Sequence, residues 1–130
     1  FGENDLMRYL GIDFGLRKIG LAISEGELAS PYGVLYVKNQ ADAIEKIEDI
    51  VRKENIDQVV IGLPESGISK TILKVIAELR LNIPVEIADE TLSSQKAKER
   101  MTELGIKKEK RIDEDAYSAA LILQDCLDTL

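Results

Sequence analysis

Three short apolar runs, residues 9–14, 19–23 and 33–37, follow one another with no helical period between them. Runs of this length, rich in β-branched and aromatic residues, read as strands. With no crossover helix to reverse them, consecutive strands must pair antiparallel, as a meander. Beyond residue 40 the pattern changes. Ile44, Ile47, Ile50 and Val51 recur at three- and four-residue spacing, which predicts a helix. Val59, Val60 and Ile61 form a wholly apolar strand closed by Gly62-Leu63-Pro64. Residues 69–79 form a second helix with Ile72, Leu73, Ile76 and Leu79 on one face. Residues 84–88 are a fifth strand, and residues 94–104 a third helix stopped by Gly105. Asp113 caps a last helix whose stripe is Ala119, Ala120, Leu123, Cys126 and Leu127. Strands joined through helices run parallel with right-handed crossovers. The chain therefore predicts an α/β domain with a mixed five-stranded sheet, an antiparallel meander followed by parallel strands, and helices on both faces.

This order resembles the ribonuclease H-like fold. In open sheets of that kind ligands gather beyond the carboxyl ends of the parallel strands. Acids fall at those ends here: Asp13 after the first strand, Glu65 after the fourth, Asp89 and Glu90 after the fifth. Like charges repel and desolvation opposes ionisation, so carboxylates gathered at buried strand ends fit best where a divalent cation sits among them. Each acid has a plainer use as well. Asp13 precedes a Phe-Gly turn, Glu65 lies where the second helix dipole favours an anion, and Asp113 is a natural cap. Asp115 differs from a purely solvated first-turn acid, because it shares a helical face with Ala119, where the apolar stripe begins. Of Asp89 and Glu90, strand alternation allows only one to face Asp13.

Composition narrows the chemistry. The chain of 130 residues contains no histidine and one cysteine. That excludes His-based triads, His general bases, the common zinc sets and an intramolecular disulfide. Cys126 reads as a small core residue. A net charge of −7 argues against a generally basic nucleic-acid surface. Basic residues are nonetheless clustered. Arg17 and Lys18 follow Asp13, Lys96, Lys98 and Arg100 lie in the third helix, and Lys107, Lys108, Lys110 and Arg111 precede the final acids. They read either as solvated surface or as a steering flank for phosphates. No repeat or linker divides the sequence, so residues 7–130 read as a single domain. Met7 is the expected native start and residues 1–6 an added remnant. With no signal peptide and no apolar run of membrane-spanning length, a cytoplasmic protein without membrane attachment is expected.

Four segments, YLGIDFGLRKIGLAIS, VVIGLP, PVEIADETLSSQKA and DEDAYSAALILQDCLD, resemble in order and spacing the YqgF/RuvX family, from Met7 to the C-terminus. Its members are described as Holliday junction resolvases and as nucleases processing pre-16S ribosomal RNA. The resemblance implies a ribonuclease H-like fold with Asp13, Glu90 and Asp115 as the catalytic, metal-holding acids. Glu65, Asp89 and Asp113 are secondary candidates. One or two Mg²⁺ or Mn²⁺ ions are implied as cofactor, nucleic acid (precursor rRNA or branched DNA) as partner, and a homodimer as an assembly that junction resolution favours. Arg17, Lys18, Lys107, Lys108, Lys110 and Arg111 would contact the nucleic-acid backbone.

Two departures stand out. Thr91 occupies the position of the family's arginine, and the loop after Pro64 is cut to ESGISK. They support an alternative reading, a catalytically weakened nucleic-acid or ribosome-associated binding module. A nucleotide phosphotransferase of the actin-like type would need a second domain, which 130 residues do not hold.

Overall fold

Alternation along the first strand sends its side chains to two opposite packing layers. In the computed structural model, Leu10 and Ile12 enter one apolar cluster and Tyr9 the other. The structure describes residues 7–15, 17–63, 70–89, 103 and 114–129. Its elements are β1 (Arg8–Asp13), β2 (Lys18–Glu25), β3 (Leu28–Tyr36), α1 (Gln40–Lys53), β4 (Gln58–Leu63), α2 (Lys70–Glu78), β5 (Val85–Asp89) and α3 (Glu114–Asp128). They form a five-stranded sheet of order β3-β2-β1-β4-β5. β1, β2 and β3 pair antiparallel, while β1, β4 and β5 pair parallel, as the sequence pattern predicts. The helix expected over residues 94–104 lies outside the described residues except for Glu103, and so does the cap at Asp113. Among the described residues no helix is long and apolar enough to cross a membrane.

β3 is longer than its apolar run suggests, starting at Leu28 rather than at residue 33. Its first half carries Ser30 and Pro31, which hide the strand signal. Pro31 is tolerated because β3 is an edge strand, with one side free of ladder bonds, and a register shift opposite Leu21 and Ala22 absorbs the irregularity. Gly26, at φ 78°, opens the two-residue turn that joins β2 to β3.

α1 is fixed at both ends by local chemistry. The Asn39 side chain accepts the Asp42 N–H at 2.8 Å, and the Asp42 carboxylate accepts the Lys38 N–H at 2.9 Å. At the other end Asn55 takes a left-handed conformation, φ 53°. There the Ile56 N–H returns to the Val51 carbonyl and the Asn55 N–H to that of Arg52, which closes a Schellman motif.

Helices cover both faces. α1 and α2 lay Ala43, Ile47, Val51, Ile72 and Val75 over Leu10, Ile12, Ile19, Leu21, Val59 and Ile61. α3 covers the opposite face with Tyr117, Ala119, Ala120, Ile122 and Leu123 against Tyr9, Ala22, Ala29 and Val60. Gln124, also on α3, is fully buried, with its amide completely engaged. Oε1 accepts the Ala29 N–H at 2.9 Å, and Nε2 donates to the Glu27 carbonyl at 2.8 Å and to Asp128 at 3.0 Å. This ties the helix to the β2–β3 hairpin. A polar residue inside the apolar run LILQDCL was the visible signal for that role.

Cys126 is a core residue, as its position in the stripe predicts. Burial, reinforced by donation of its S–H to the Glu86 carboxylate 2.8 Å away, pushes the thiol up to about 12. At pH 8 only about one thiol in 10⁴ is then the reactive thiolate. Native protein is expected to resist a disulfide exchange reagent at pH 8 and to release one equivalent of thiol on unfolding in denaturant. Rapid labelling of the folded protein would contradict that.

Candidate active site

The site is set by how α3 sits on the sheet. Gly20, inside β2, has no Cβ, and the space one would fill is taken by the α3 main chain. A Cβ there would lie 1.9 Å from the carbonyl oxygen of Asp115. Further along, a Cβ on Gly11 would lie 2.7 Å from the Leu123 Cβ. The sequence reading places Gly20 inside the strand run 19–23 but gives it no packing role; in the structure it seats the first turn of the helix. A glycine inside a strand marks close approach of another backbone, and that was the missed signal.

Gly20 is also the cross-strand partner of Asp13. Directly opposed residues share a face, so Asp13 rises on the α3 side, one strand spacing of about 4.8 Å from β2, on which the α3 turn carrying Asp115 rests. Asp13 ends β1 and Asp115 lies in the first turn of α3. Two acids far apart in the chain are thereby brought to one sheet end and one face. Both are half-buried. Asp115 also pairs with Lys18, its Oδ2 lying 3.3 Å from Nζ. Lys18 was expected to belong to a steering flank; it lies within the site itself.

The same row continues across the sheet. Asp13 is in register with Gly62 of β4, and Gly62 with Ala88 of β5. Ala88 packs in the α3 layer, and Glu86 accepts from Cys126 of α3, so these two positions of β5 belong to the α3 face. Asp89 ends the strand opposite Leu63. Glu90 lies outside the described residues, as do Glu65, Asp113, Lys107, Lys108, Lys110 and Arg111. Arg17 is exposed, and its carbonyl accepts the Val37 N–H at 2.9 Å, holding the β1–β2 turn against the end of β3. Among the described residues no group of three or more acids or cysteines is assembled to hold a metal ion. The described donors, Asp13 and Asp115, are carboxylates, the ligand type suited to a hard divalent cation such as Mg²⁺ or Mn²⁺.

A mixed sheet of this order, covered on both faces, with acids at the ends of β1 and β5 and in the first turn of α3, defines a protein of the ribonuclease H-like class. The structure of Thermus thermophilus RuvC in complex with a Holliday junction substrate superposes with a TM-score of 0.62 over 95% of this chain and 94% of that one, at 16% identity. Residues 7–129 match the RuvX family, described as Holliday junction resolvase, and the chain belongs to that family. Two relatives, each named "Putative pre-16S rRNA nuclease", come from Rickettsia canadensis and Anaeromyxobacter sp. The first is 33% identical over 93% of this chain and 86% of its own length. The second is 35% identical over 94% and 97%.

Proposed function

We propose that this chain is a divalent-cation-dependent nuclease that hydrolyses phosphodiester bonds in structured nucleic acid, with Asp13, Glu90 and Asp115 as its catalytic, metal-holding acids. The observation that carries the reading is the convergence of Asp13 and Asp115 on one face over Gly20. Family membership and the names of the two relatives support it, and those names favour precursor ribosomal RNA over branched DNA as the first substrate to test. For the third acid, the two-residue period of a strand favours Glu90 over Asp89. Ala88 belongs to the α3 face, and position 90 is the next of the same parity.

When bound, one or two Mg²⁺ or Mn²⁺ ions would supply charge stabilisation of the phosphoryl oxygens and a more acidic water. The chain supplies the rest. Asp13 is fixed by the β1 ladder on both sides and Asp115 by the seat of α3 on Gly20, so neither acid pays to be ordered when substrate arrives. Lys18, beside Asp115, offsets the repulsion between carboxylates and presents a cation to a backbone phosphate. The sequence contains no histidine, so no imidazole shares the proton transfer.

Cleavage of a pre-16S rRNA fragment and of a synthetic four-way junction, run side by side with Mg²⁺, Mn²⁺ and chelator, tests the proposal. Expected is strand scission of at least one substrate that chelator abolishes and either ion restores. Binding without scission at any concentration of either ion would reject it in favour of a binding module.

A further inference from the structure

Tyr36 ends β3 with 64% of its surface exposed, more than any other large apolar residue described. Its neighbours make that exposure informative. Register pairs Tyr36 with Lys18 across β2 and β3, so both stand on the α3 face at the sheet end that carries Asp13 and Asp115. Lys18 Nζ lies 5.8 Å from the centre of the Tyr36 ring and 3.3 Å from Asp115 Oδ2. One lysine therefore bridges an exposed aromatic face and a site carboxylate.

The backbone beneath the ring is held from two directions. The Tyr36 carbonyl accepts from Lys46 Nζ at 2.6 Å, and the next residue, Val37, donates to Arg17 at 2.9 Å. An aromatic side chain on a fixed backbone, flat and open to solvent beside a cation, is the arrangement by which proteins stack an unpaired base and hold its phosphate. Tyr32, on the same strand, serves as a contrast: its hydroxyl is engaged by Glu54 at 2.8 Å.

We propose that Tyr36 is a stacking platform for one unpaired nucleobase of the substrate, with Lys18 against the adjoining phosphate, which positions the strand for the Asp13–Asp115 site. The inference rests on the nuclease reading and deepens it. The substrate class becomes a strand with at least one base out of its helical stack at the site, rather than an uninterrupted duplex.

The test uses short RNA and DNA single strands, each carrying one 2-aminopurine moved along the strand, and a duplex of the same sequence. Binding is followed in the Asp13→Asn background so that the strand stays intact. At one position of the probe, a fluorescence change on binding is expected that Tyr36→Ala abolishes, together with a loss of affinity of roughly tenfold, the scale of one base–aromatic stack. Tyr36→Phe and Tyr36→Trp restore both, and Tyr32→Ala changes neither. With Asp13 intact, Tyr36→Ala raises KM while kcat stays within about twofold, as expected for a group that binds substrate without entering the chemistry. A response confined to RNA or to DNA supports the platform and identifies the sugar it accepts. Unaltered fluorescence and affinity in Tyr36→Ala, or an equal response from the duplex, overturns the platform and leaves the nuclease reading standing. Failure of the protein with intact Asp13 to bind or cut any strand overturns both.

Discussion

Asp13→Asn and Asp115→Asn are each expected to lower phosphodiester hydrolysis by more than about 100-fold, with little change in stability. Loss of residues that merely orient metal ligands already costs about 10–100-fold, and loss of a ligand itself costs more. Stability is expected to hold because the Lys18–Asp115 pair is 43% and 39% exposed on its two sides, and ion pairs of that kind contribute about 0–1 kcal/mol. Glu90→Gln is expected to match them, whereas Asp89→Asn is expected to stay within about tenfold of the unsubstituted rate if strand parity selects Glu90. Initial rates on the substrate that the chelator experiment identifies, beside thermal melts of each variant, provide the check. Full activity in all three site variants would remove the proposed mechanism.

Gly20→Val is expected to produce the largest loss of stability of any single substitution considered. The atom it strikes is the main-chain carbonyl of Asp115, which cannot rotate aside, so the first turn of α3 must lift from the sheet. Overpacking typically costs about 1–3 kcal/mol and more when the backbone must move. About 3 kcal/mol in a domain of this size corresponds to a fall in Tm of roughly 10–15 °C. Because the displaced turn carries Asp115, activity is expected to fall with it even below the melting range. Two substitutions calibrate the result. Gly62→Ala meets the Ile122 Cδ1 methyl at 2.4 Å, the far end of a side chain that can rotate, and is expected to be much milder. Gly33→Ala meets nothing within 4 Å and is expected to be near neutral. Equal melting temperatures for Gly20→Val and Gly33→Ala would show that α3 does not rest on β2 as described.

Element type and strand direction were legible in the residue pattern because they depend on local periods. The meander follows from apolar runs with no helix between them, and the parallel strands from the helices that separate them. Strand length was less legible where polar residues and a proline interrupt the apolar alternation, as in the first half of β3. An edge strand is held by its neighbour on one side only, so the features that mark a strand in sequence are relaxed there.

The site was legible in part for the same reason. Asp13 was placed from its own strand end, and Asp115 was singled out because it shares a helical face with Ala119, which is fully buried in the α3 layer. The three residues that locate the site, Gly20, Lys18 and Tyr36, could not be assigned from their local sequence. Gly20 reads as one more residue of the 19–23 strand run, Lys18 as surface charge or part of a steering flank, and Tyr36 as one more residue of an apolar run.

The residue sequence determined the order of elements, the two-sided burial of the sheet and the kinds of chemistry open to a chain with no histidine. Tertiary structure alone decided that α3 rests on a bare patch of β2, that Asp115 is thereby brought to the sheet end and face of Asp13, and that a lysine and an exposed tyrosine share that face. Periodicity is a property of neighbours along the chain. Which backbone fills the space above a glycine is a property of neighbours across it, and only the folded packing specifies that.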